Sequence, residues 1–252
     1  MSKLIHYHIF KNAGTSVDAV LRDSFGKRWG QYEGPAADSV LTPDQIREFL
    51  DHNDDLVALS THQGRPEVSA DISPILFLRH PILRARSVYE FSRQDRALPS
   101  AYQSPTFADY VSWALDSDDG GIVIRDYQVT HLSNASFRTP LLKANAHRGD
   151  LEQAQALLTK MEGVGIVEQF GRSALAYQAL YRPIFSDLDF GFRWENATGP
   201  KEDVPISIQL EDIRLSLGDP LYERLVQANM LDLELYAFGL DRFSDFAGKY
   251  VA

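Results

Sequence analysis

The sequence predicts an α/β protein with a central, mainly parallel β-sheet flanked by helices. Short apolar runs rich in branched side chains alternate along the chain with longer segments of helical periodicity. Strands that alternate with helices join through right-handed crossovers, which favours parallel pairing. The chain has 252 residues, 44% of them hydrophobic, and this length suits one core. We therefore expect a single domain over residues 1–252.

The first predicted strand is the apolar run LIHYHIF at residues 4–10. Further strands are predicted from the branched apolar runs at 56–61, 75–79 and 164–168. Apolar residues at helical spacing predict helices at about 15–26, 43–51, 81–95, 106–116, 121–133, 150–161, 171–186 and 219–237. Pro43 and Pro81 fit the first turns of two of these helices, where no main-chain N–H is needed.

The composition excludes several classes of protein. The chain has no cysteine, which excludes disulfides, thiolate metal sites and cysteine nucleophiles. Its net charge is −10, so the average surface repels nucleic acids and any anion site must be local. No run approaches the roughly 20 apolar residues of a membrane span, and the N-terminus lacks the apolar core of a signal peptide. We expect a cytoplasmic protein without a membrane span or a nucleic-acid partner.

The sequence KNAGTS, at residues 11–16, lies where the first strand must turn into a helix. Gly14 allows a sharp turn, and a helix N-terminus presents N–H groups and partial positive charge to an anion. Lys11 adds a cation, while Thr15 and Ser16 add hydroxyl donors. The segment predicts a phosphate-binding loop, although a simple helix cap is the alternative. The lysine precedes the glycine, unlike the order in a nucleoside-triphosphate loop.

The third strand leads into LRHPILRARSVY at residues 78–89, which predicts a second anion site. Arg79 at the strand end offers a fork of N–H donors suited to phosphate, and Ser87 in the next helix adds a hydroxyl. Arg84 lies three residues before Ser87 and shares its helix face. A solvated basic helix face is the alternative interpretation. Two anion sites at neighbouring strand ends indicate a ligand with separated phosphates.

Both segments resemble motifs of the sulfotransferase superfamily, in the branch that includes carbohydrate 2-O-sulfotransferases and their bacterial relatives. HIFKNAGTS at 8–16 is similar to the family's first motif, approximately H-I-P-K-T-G-G-T-S, and 78–89 is similar to its second, approximately L-R-D-P-x-x-R-x-x-S-x-Y. Weaker similarities at 60–64, 125–133, 164–181 and 231–243 extend the resemblance over most of the chain. The sequence departs from the motifs at Phe10, Asn12 and His80, where the family has proline, a small or hydroxyl residue, and aspartate.

The resemblance implies a P-loop-kinase-like three-layer fold and a sulfotransferase. Such an enzyme moves a sulfuryl group from 3′-phosphoadenosine 5′-phosphosulfate (PAPS) to a hydroxyl of a carbohydrate or other small acceptor, and leaves adenosine 3′,5′-bisphosphate (PAP). By position, the 3′-phosphate would be bound by Arg79 and Ser87. Lys11 would stabilise the leaving phosphate, and no metal is required. The 5′-phosphosulfate would be bound by the loop residues Lys11, Asn12, Ala13, Gly14, Thr15 and Ser16.

The acceptor hydroxyl needs a base, and histidine has the best-matched pKa. His62 in STHQG resembles the catalytic base of related 2-O-sulfotransferases, and Glu168 at the end of the fourth strand is the alternative. The polar stretch with Asp126, Gln128 and His131 resembles a family segment near the acceptor.

His6 and His8 alternate onto one strand face, a spacing that could suit a metal. No carboxylate partner is visible in the sequence. We therefore expect these histidines to pack in the core, and we predict no metal site.

Two other functions remain open. An ATP-dependent kinase on a similar sheet would need a glycine-then-lysine loop and an acidic magnesium ligand after a core strand, where this chain has Arg79. A nucleotide-binding interaction module without catalysis is the other alternative.

Overall fold

A parallel β-sheet forms the centre of the protein in the computed structural model, which describes residues 2–36, 38–94, 104–117, 121–135, 145–191 and 204–251. Four strands pair in the order β2-β3-β1-β4, and each pairing is parallel. Their bounds are β1 Lys3–Tyr7, β2 Trp29–Gln31, β3 Ala58–Thr61 and β4 Ile72–Ile75. After Leu76 the chain continues as β5 (Phe77–Leu78), which pairs in parallel with β6 (Gly165–Ile166). The predicted α/β class and parallel sheet are confirmed.

Helices flank the sheet and connect its strands. In chain order they are α1 (Gly14–Phe25), α2 (Pro43–His52), α3 (Pro81–Ser92), α4 (Phe107–Asp116), α5 (Tyr127–Leu132), α6 (Arg148–Lys160), α7 (Phe170–Tyr181), α8 (Ile206–Leu217), α9 (Asp219–Gln227) and α10 (Met230–Tyr250). Short 3-10 helices lie at Gly26–Arg28, Gly121–Ile124 and Val167–Gln169. Pro43 and Pro81 each occupy the first position of their helix, as the sequence predicts. Within the described ranges, no helix is long and apolar enough to cross a membrane.

The carboxyl end of β1 lies at the point where the strand connections diverge. From β1 the chain passes through α1 to β2 at one edge of the sheet, whereas from β3 it crosses β1 to reach β4 on the other side. A crevice between such diverging connections is where open α/β sheets bind ligands. The segments that follow β1 and β5 meet at this crevice, and they are the two segments that the sequence predicts to bind anions.

Two hydrophobic clusters hold the helices in place. The larger cluster surrounds the sheet and includes apolar residues of β1, α1, α6, α7 and α10. The smaller cluster lies among α3, α4, α8 and α9. The half-buried side chains of Phe10 and Val123 pack against both clusters. Because Phe10 belongs to the loop after β1, both clusters help to position that loop.

Several predicted elements differ from the structure. Strand β2 and helix α8 have no predicted counterpart, because WGQ is very short and α8 starts after Pro205 without a side-chain cap. The predicted helix 219–237 is divided between α9 and α10, and the predicted helix 121–133 is a 3-10 helix followed by α5. Asn229 and Asp126 lie at these breaks, where their side chains bind distant main-chain groups. Residue 95, at the end of the predicted helix 81–95, lies outside the described residues.

Candidate functional site

The loop between β1 and α1 is curled by two residues with left-handed backbone conformation. Lys11 has a φ of 65° and Ala13 a φ of 62°, which costs a residue with a side chain about 1 kcal/mol or more. Amides in such turns point into a concave space that suits an anion. Ala13 occupies the N-cap position of α1 and has no side-chain acceptor, while Thr15 and Ser16 lie within the first turn. The Ser16 N–H donates to the Ala13 carbonyl oxygen at 3.0 Å, so the N–H groups of Gly14 and Thr15 are the ones that the first turn can offer to a ligand.

Gly14 is required by the close approach of a histidine ring rather than by its backbone angles. A Cβ atom at this position would lie 1.7 Å from Nε2 of His8. Real Cβ atoms do not approach another atom so closely, so only glycine lets the His8 ring lie against the first turn of α1.

The side chain of Asn12 points into the protein and fastens the loop to the end of the neighbouring strand. Its Nδ2 donates to the carbonyl oxygen of Phe77 and to Oε1 of Gln128, each at 2.8 Å. Gln128 Oε1 also accepts from the main-chain N–H of Arg79 at 2.9 Å, and Gln128 Nε2 donates to the Arg79 carbonyl oxygen at 2.9 Å. The main-chain N–H of Asn12 donates to the Ile9 carbonyl oxygen at 3.0 Å, so neither its side-chain amide nor its N–H is directed to a ligand in the crevice.

Arg79 joins the two predicted anion sites. Its Nη1 donates to the main-chain carbonyl oxygen of Lys11 at 3.0 Å. Its side chain also lines, together with Ser87, a cavity of about 560 Å³ between α3 and α8. The Lys11 ammonium lies 4.8 Å from the ring centroid of Phe91, one turn further along α3 than Ser87. The Lys11 main chain thus contacts Arg79, and Arg79 lines one cavity with Ser87. Glu90 and Asp212 also contribute carboxylates to this cavity.

Three cations, Lys11, Arg79 and Arg84, lie beneath this crevice. The carboxylates of Glu168 and Asp232 lie near the two arginines. Burial lowers the pKa of Lys11, with a further contribution from the positive charge of Arg79. Burial also lowers the pKa values of Arg79 and of Arg84, which is fully buried. In the described part of the chain, Nε of Arg79 and Nε of Arg84 have no hydrogen-bond partner. An anion bound beside Lys11 and Arg79 would offset the repulsion between these two cations.

The side chain of Arg84 is fully buried, whereas a basic helix face would be expected to be exposed. Its guanidinium donates to the main-chain carbonyl oxygens of Phe10 and Val123 and lies 4.6 Å from the ring centroid of Tyr127. It therefore holds the loop after β1 from below.

Glu168 lies beside Arg79, but its carboxylate is already engaged. Oε1 accepts from the main-chain N–H of His80 at 3.0 Å and lies 4.0 Å from Nε of Arg79, while Oε2 accepts from the Tyr236 hydroxyl at 3.0 Å. Burial raises the pKa of Glu168, and the charge of Arg79 opposes this. These contacts place the Glu168 carboxylate at the start of α3.

His62 follows β3 and forms a close pair with Glu33, a residue that the sequence does not single out. Nδ1 of His62 lies 2.8 Å from Oε1 of Glu33, and the His62 main-chain N–H donates to the same oxygen at 2.7 Å. The other face of the imidazole packs on His8, with ring centroids 3.8 Å apart. The His62 side chain is 42% exposed, so a ligand in the crevice can reach it. His8 connects it to Gly14 and the start of α1.

His6 and His8 share a buried carboxylate, Asp18 of α1. Nδ1 of His6 donates to Asp18 Oδ1 at 2.8 Å, and Nδ1 of His8 lies 3.6 Å from Oδ2. Burial alone would raise the pKa of Asp18, but the hydrogen bond from His6 and the proximity of His8 hold it well below its usual value. One potential ligand atom from each of His6, His8 and Asp18 lies within 4.8 Å of the other two, which is close enough for a shared metal ion. Only the His6–Asp18 pair lies within hydrogen-bond distance, since Nδ1 of His8 has no hydrogen-bond partner among the described residues.

The polar stretch before and within α5 supports the loop from inside the protein. The Asp232 carboxylate accepts from the main-chain N–H groups of Gln128 and Val129 at 3.0 and 2.8 Å, while Asp126 Oδ1 accepts from the Asp232 N–H at 2.8 Å. His131 is fully buried next to Arg65. Burial raises the pKa of Asp126 to about 7, together with the charge of Asp232. Gln128 is the member of this stretch that contacts the loop directly.

Sequence reasoning missed Glu33 and Asp232. Glu33 follows the short strand β2, which is itself not predicted, and Asp232 lies about a hundred residues after the main-chain groups that it binds. Neither residue has a local pattern that marks it. The position of Glu33 just beyond the end of β2 could have marked it as a site residue, but only if β2 had been predicted from the sequence.

No family model matches the chain. A protein of Archaeoglobus fulgidus, described as an uncharacterized protein, is 26% identical over 253 residues. The alignment covers 96% of this chain and 97% of the archaeal protein. The similarity therefore extends over nearly the whole of both chains, and the description of the archaeal protein contains no activity.

Proposed function

We propose that this protein is a sulfotransferase that moves a sulfuryl group from PAPS to a hydroxyl of a carbohydrate or other small acceptor. The observation that carries the proposal is the hydrogen bond from Arg79 to the Lys11 carbonyl oxygen. It joins the loop after β1 to the end of β5, so one bridging ligand can contact both. The parallel sheet also supports a P-loop-kinase-like three-layer fold, because the loop after β1 lies where the connections to β2 and to β4 diverge.

PAPS has two anionic groups, and the crevice has two sets of donors. The curled loop, Lys11, Thr15 and Ser16 would hold the 5′-phosphosulfate at the N-terminus of α1. Arg79 and Ser87 would hold the 3′-phosphate at the cavity between α3 and α8. Gly14 and Ala13 would contribute main-chain N–H groups.

The chemistry requires positioning and charge stabilisation more than covalent participation. PAPS supplies the sulfuryl group and a leaving phosphate. Lys11 would stabilise the negative charge that develops on this leaving group, where its partial burial strengthens the interaction. His62 would accept the proton of the acceptor hydroxyl, because its imidazole is exposed and held by Glu33 and His8. Glu168 is less suited to this role because each oxygen of its carboxylate already accepts a hydrogen bond.

Ligand binding tests the proposed donor first. We expect PAP to bind with a dissociation constant at least tenfold below that of magnesium-ATP in isothermal titration calorimetry, because Arg79 occupies the strand end where a kinase needs an acidic magnesium ligand. The preference should persist when EDTA replaces magnesium in the PAP titration. Tighter binding of magnesium-ATP would support the kinase instead.

Turnover then separates an enzyme from a binding module. The protein loaded with PAPS is incubated with small sugars, glycolipids, secondary-metabolite alcohols and polysaccharide fragments, and products are examined by mass spectrometry for an added sulfuryl group. Formation of PAP together with a sulfated acceptor supports the transferase. PAP binding without transfer to any of these classes would favour the interaction module.

A further inference from the structure

Glu33 is bound to the segment after β3 by both carboxylate oxygens. Oε1 accepts from the main-chain N–H of His62 at 2.7 Å, and Oε2 accepts from the N–H of Gln63 at 3.2 Å. Gln63 returns the contact, since its Oε1 accepts from the N–H of Gly34 and its Nε2 donates to the Ala36 carbonyl oxygen. The segments around residues 33–36 and 61–63 are therefore fastened to each other in both directions.

The same carboxylate lies against one specific nitrogen of His62. Oε1 of Glu33 is 2.8 Å from Nδ1 of His62. An ionised carboxylate can only accept a hydrogen bond, so this contact requires the proton of the neutral imidazole to be on Nδ1. Nε2 then carries the lone pair, which is the arrangement that a general base needs.

The ring is also held from its face. His8 packs against it at a centroid distance of 3.8 Å, and His8 in turn lies against Gly14 at the first turn of α1. The imidazole thus has a defined orientation relative to the loop that is proposed to bind the donor. A surface histidine with no role would not need contacts on both its edge and its face.

We propose that Glu33 is the positioning residue of the catalytic base: it holds His62 in the tautomer whose Nε2 accepts the proton of the acceptor hydroxyl. This inference rests on the proposed sulfotransferase function. In the reaction the proton moves from the acceptor oxygen to Nε2, the acceptor oxygen bonds to sulfur, and the bond between sulfur and the bridging phosphate oxygen breaks. The Glu33 carboxylate then stabilises the doubly protonated imidazole.

The decisive variant is Glu33→Gln, which keeps the size of the side chain but has one accepting oxygen where the carboxylate has two. It removes the negative charge, and Nδ1 need no longer carry the proton, because an amide can face Nδ1 with either its oxygen or its NH2 group. Nitrogen-15 NMR of the histidine side chains, assigned with His62→Ala, reports which ring nitrogen is protonated and needs no substrate. We expect mainly the Nδ1-protonated tautomer in the parent and a clear increase of the Nε2-protonated tautomer in Glu33→Gln. An unchanged tautomer would overturn the inference.

Kinetics provide the second readout. We expect Glu33→Gln to lower kcat by about 10- to 100-fold, less than the roughly 10²–10⁴-fold that a general base itself contributes, while the dissociation constant of PAP changes less than twofold. Glu33→Asp keeps a carboxylate and should recover part of the lost rate. The matched control is Glu67→Gln, which removes a carboxylate bound to Arg47 away from the crevice, and should leave kcat unchanged.

The outcomes separate this inference from the proposed function. If the parent does not bind PAP, the proposed function fails, while the NMR result still decides whether Glu33 sets the tautomer. If PAP binds but kcat is equal in the parent and Glu33→Gln, the positioning role is wrong. If Glu33→Gln loses activity and His62→Ala retains it, Glu33 is itself the base and the assignment is overturned.

Discussion

The guanidinium of Arg79 donates a hydrogen bond to the main-chain carbonyl oxygen of Lys11 at 3.0 Å. The two residues are 68 positions apart in the chain, and each belongs to one of the anion-binding motifs that the sequence predicts. Their contact makes a single crevice of two separate motifs. The charge of Arg79 also contributes to lowering the pKa of Lys11, so a ligand that neutralises one cation affects the other.

Replacement of Arg79 should weaken donor binding. Arg79→Ala removes charge-assisted hydrogen bonds of about 1.5–3 kcal/mol, so the dissociation constant of PAP should rise by about 10- to 100-fold in calorimetry. The control is Arg22→Ala, on the exposed face of α1, which should bind PAP as the parent does. Equal affinity of Arg79→Ala and the parent would contradict the proposed 3′-phosphate site.

Replacement of Gly14 should disturb the loop through His8. Gly14→Ala places a methyl group on the imidazole, and overpacking of this kind costs about 1–3 kcal/mol of unfolding free energy in urea titrations. The double variant with His8→Ala should regain part of this loss. Gly248→Ala is the matched control, because a Cβ there meets no atom within 4 Å, and it should stabilise α10 slightly. If Gly14→Ala were as stable as Gly248→Ala, the close approach of His8 would be wrong.

Replacement of Gln128 should destabilise the protein as a whole. Its side chain pairs with Nδ2 of Asn12 and with both main-chain groups of Arg79, so Gln128→Ala would remove one of the two acceptors of Asn12 Nδ2 and the partners of the Arg79 N–H and carbonyl oxygen. We expect a loss of about 2–4 kcal/mol in urea-induced unfolding. Gln227→Ala, at an exposed position of α9, should change the unfolding free energy by less than about 0.5 kcal/mol. If Gln128→Ala lowered the unfolding free energy as little as Gln227→Ala does, the hydrogen-bond network around Gln128 would not contribute to stability.

The contribution of His8 and His80 to stability should fall as the pH decreases from about 6.5 to 4, whereas Asp126, with its pKa raised to about 7, contributes in the opposite direction. Burial lowers the pKa of His8 to about 4, although Asp18 opposes this, and burial lowers the pKa of His80 to about 4 as well. At both histidines the unfolded chain therefore binds more protons than the folded protein in this interval, and their contribution to the unfolding free energy decreases by up to about 1.4 kcal/mol per pH unit for each histidine. Above pH 6.5 this contribution is fully present.

The comparison of two histidine variants checks this pH dependence. In His8→Gln, the loss of unfolding free energy between pH 7 and 4.5 should be about 2 kcal/mol smaller than in the parent. His52→Gln, at an exposed position of α2, should keep the parent's pH dependence. An identical pH dependence in His8→Gln and the parent would show that His8 is not held neutral by the fold.

The sequence by itself determined the parallel α/β sheet and the two motifs, because these depend on local patterns. Apolar periodicity marks β1 and its helix, and a glycine, a lysine and two hydroxyl residues in six positions mark the loop at 11–16. The proline at position 81 marks the start of α3 for the same local reason, since its ring restricts the backbone wherever it occurs.

The tertiary structure decided which of these groups meet. Gln128 bonds to Asn12 over a separation of 116 residues. Glu33 follows the unpredicted strand β2 and contacts His62, which follows the neighbouring strand β3. The side chain of Asn12 points inward because the Phe77 carbonyl oxygen in β5 accepts its hydrogen bond. The Asp232 carboxylate accepts from the first N–H groups of α5 because α10 packs beside that helix. Such contacts depend on how distant elements pack, and no local pattern of residues specifies a partner that far along the chain.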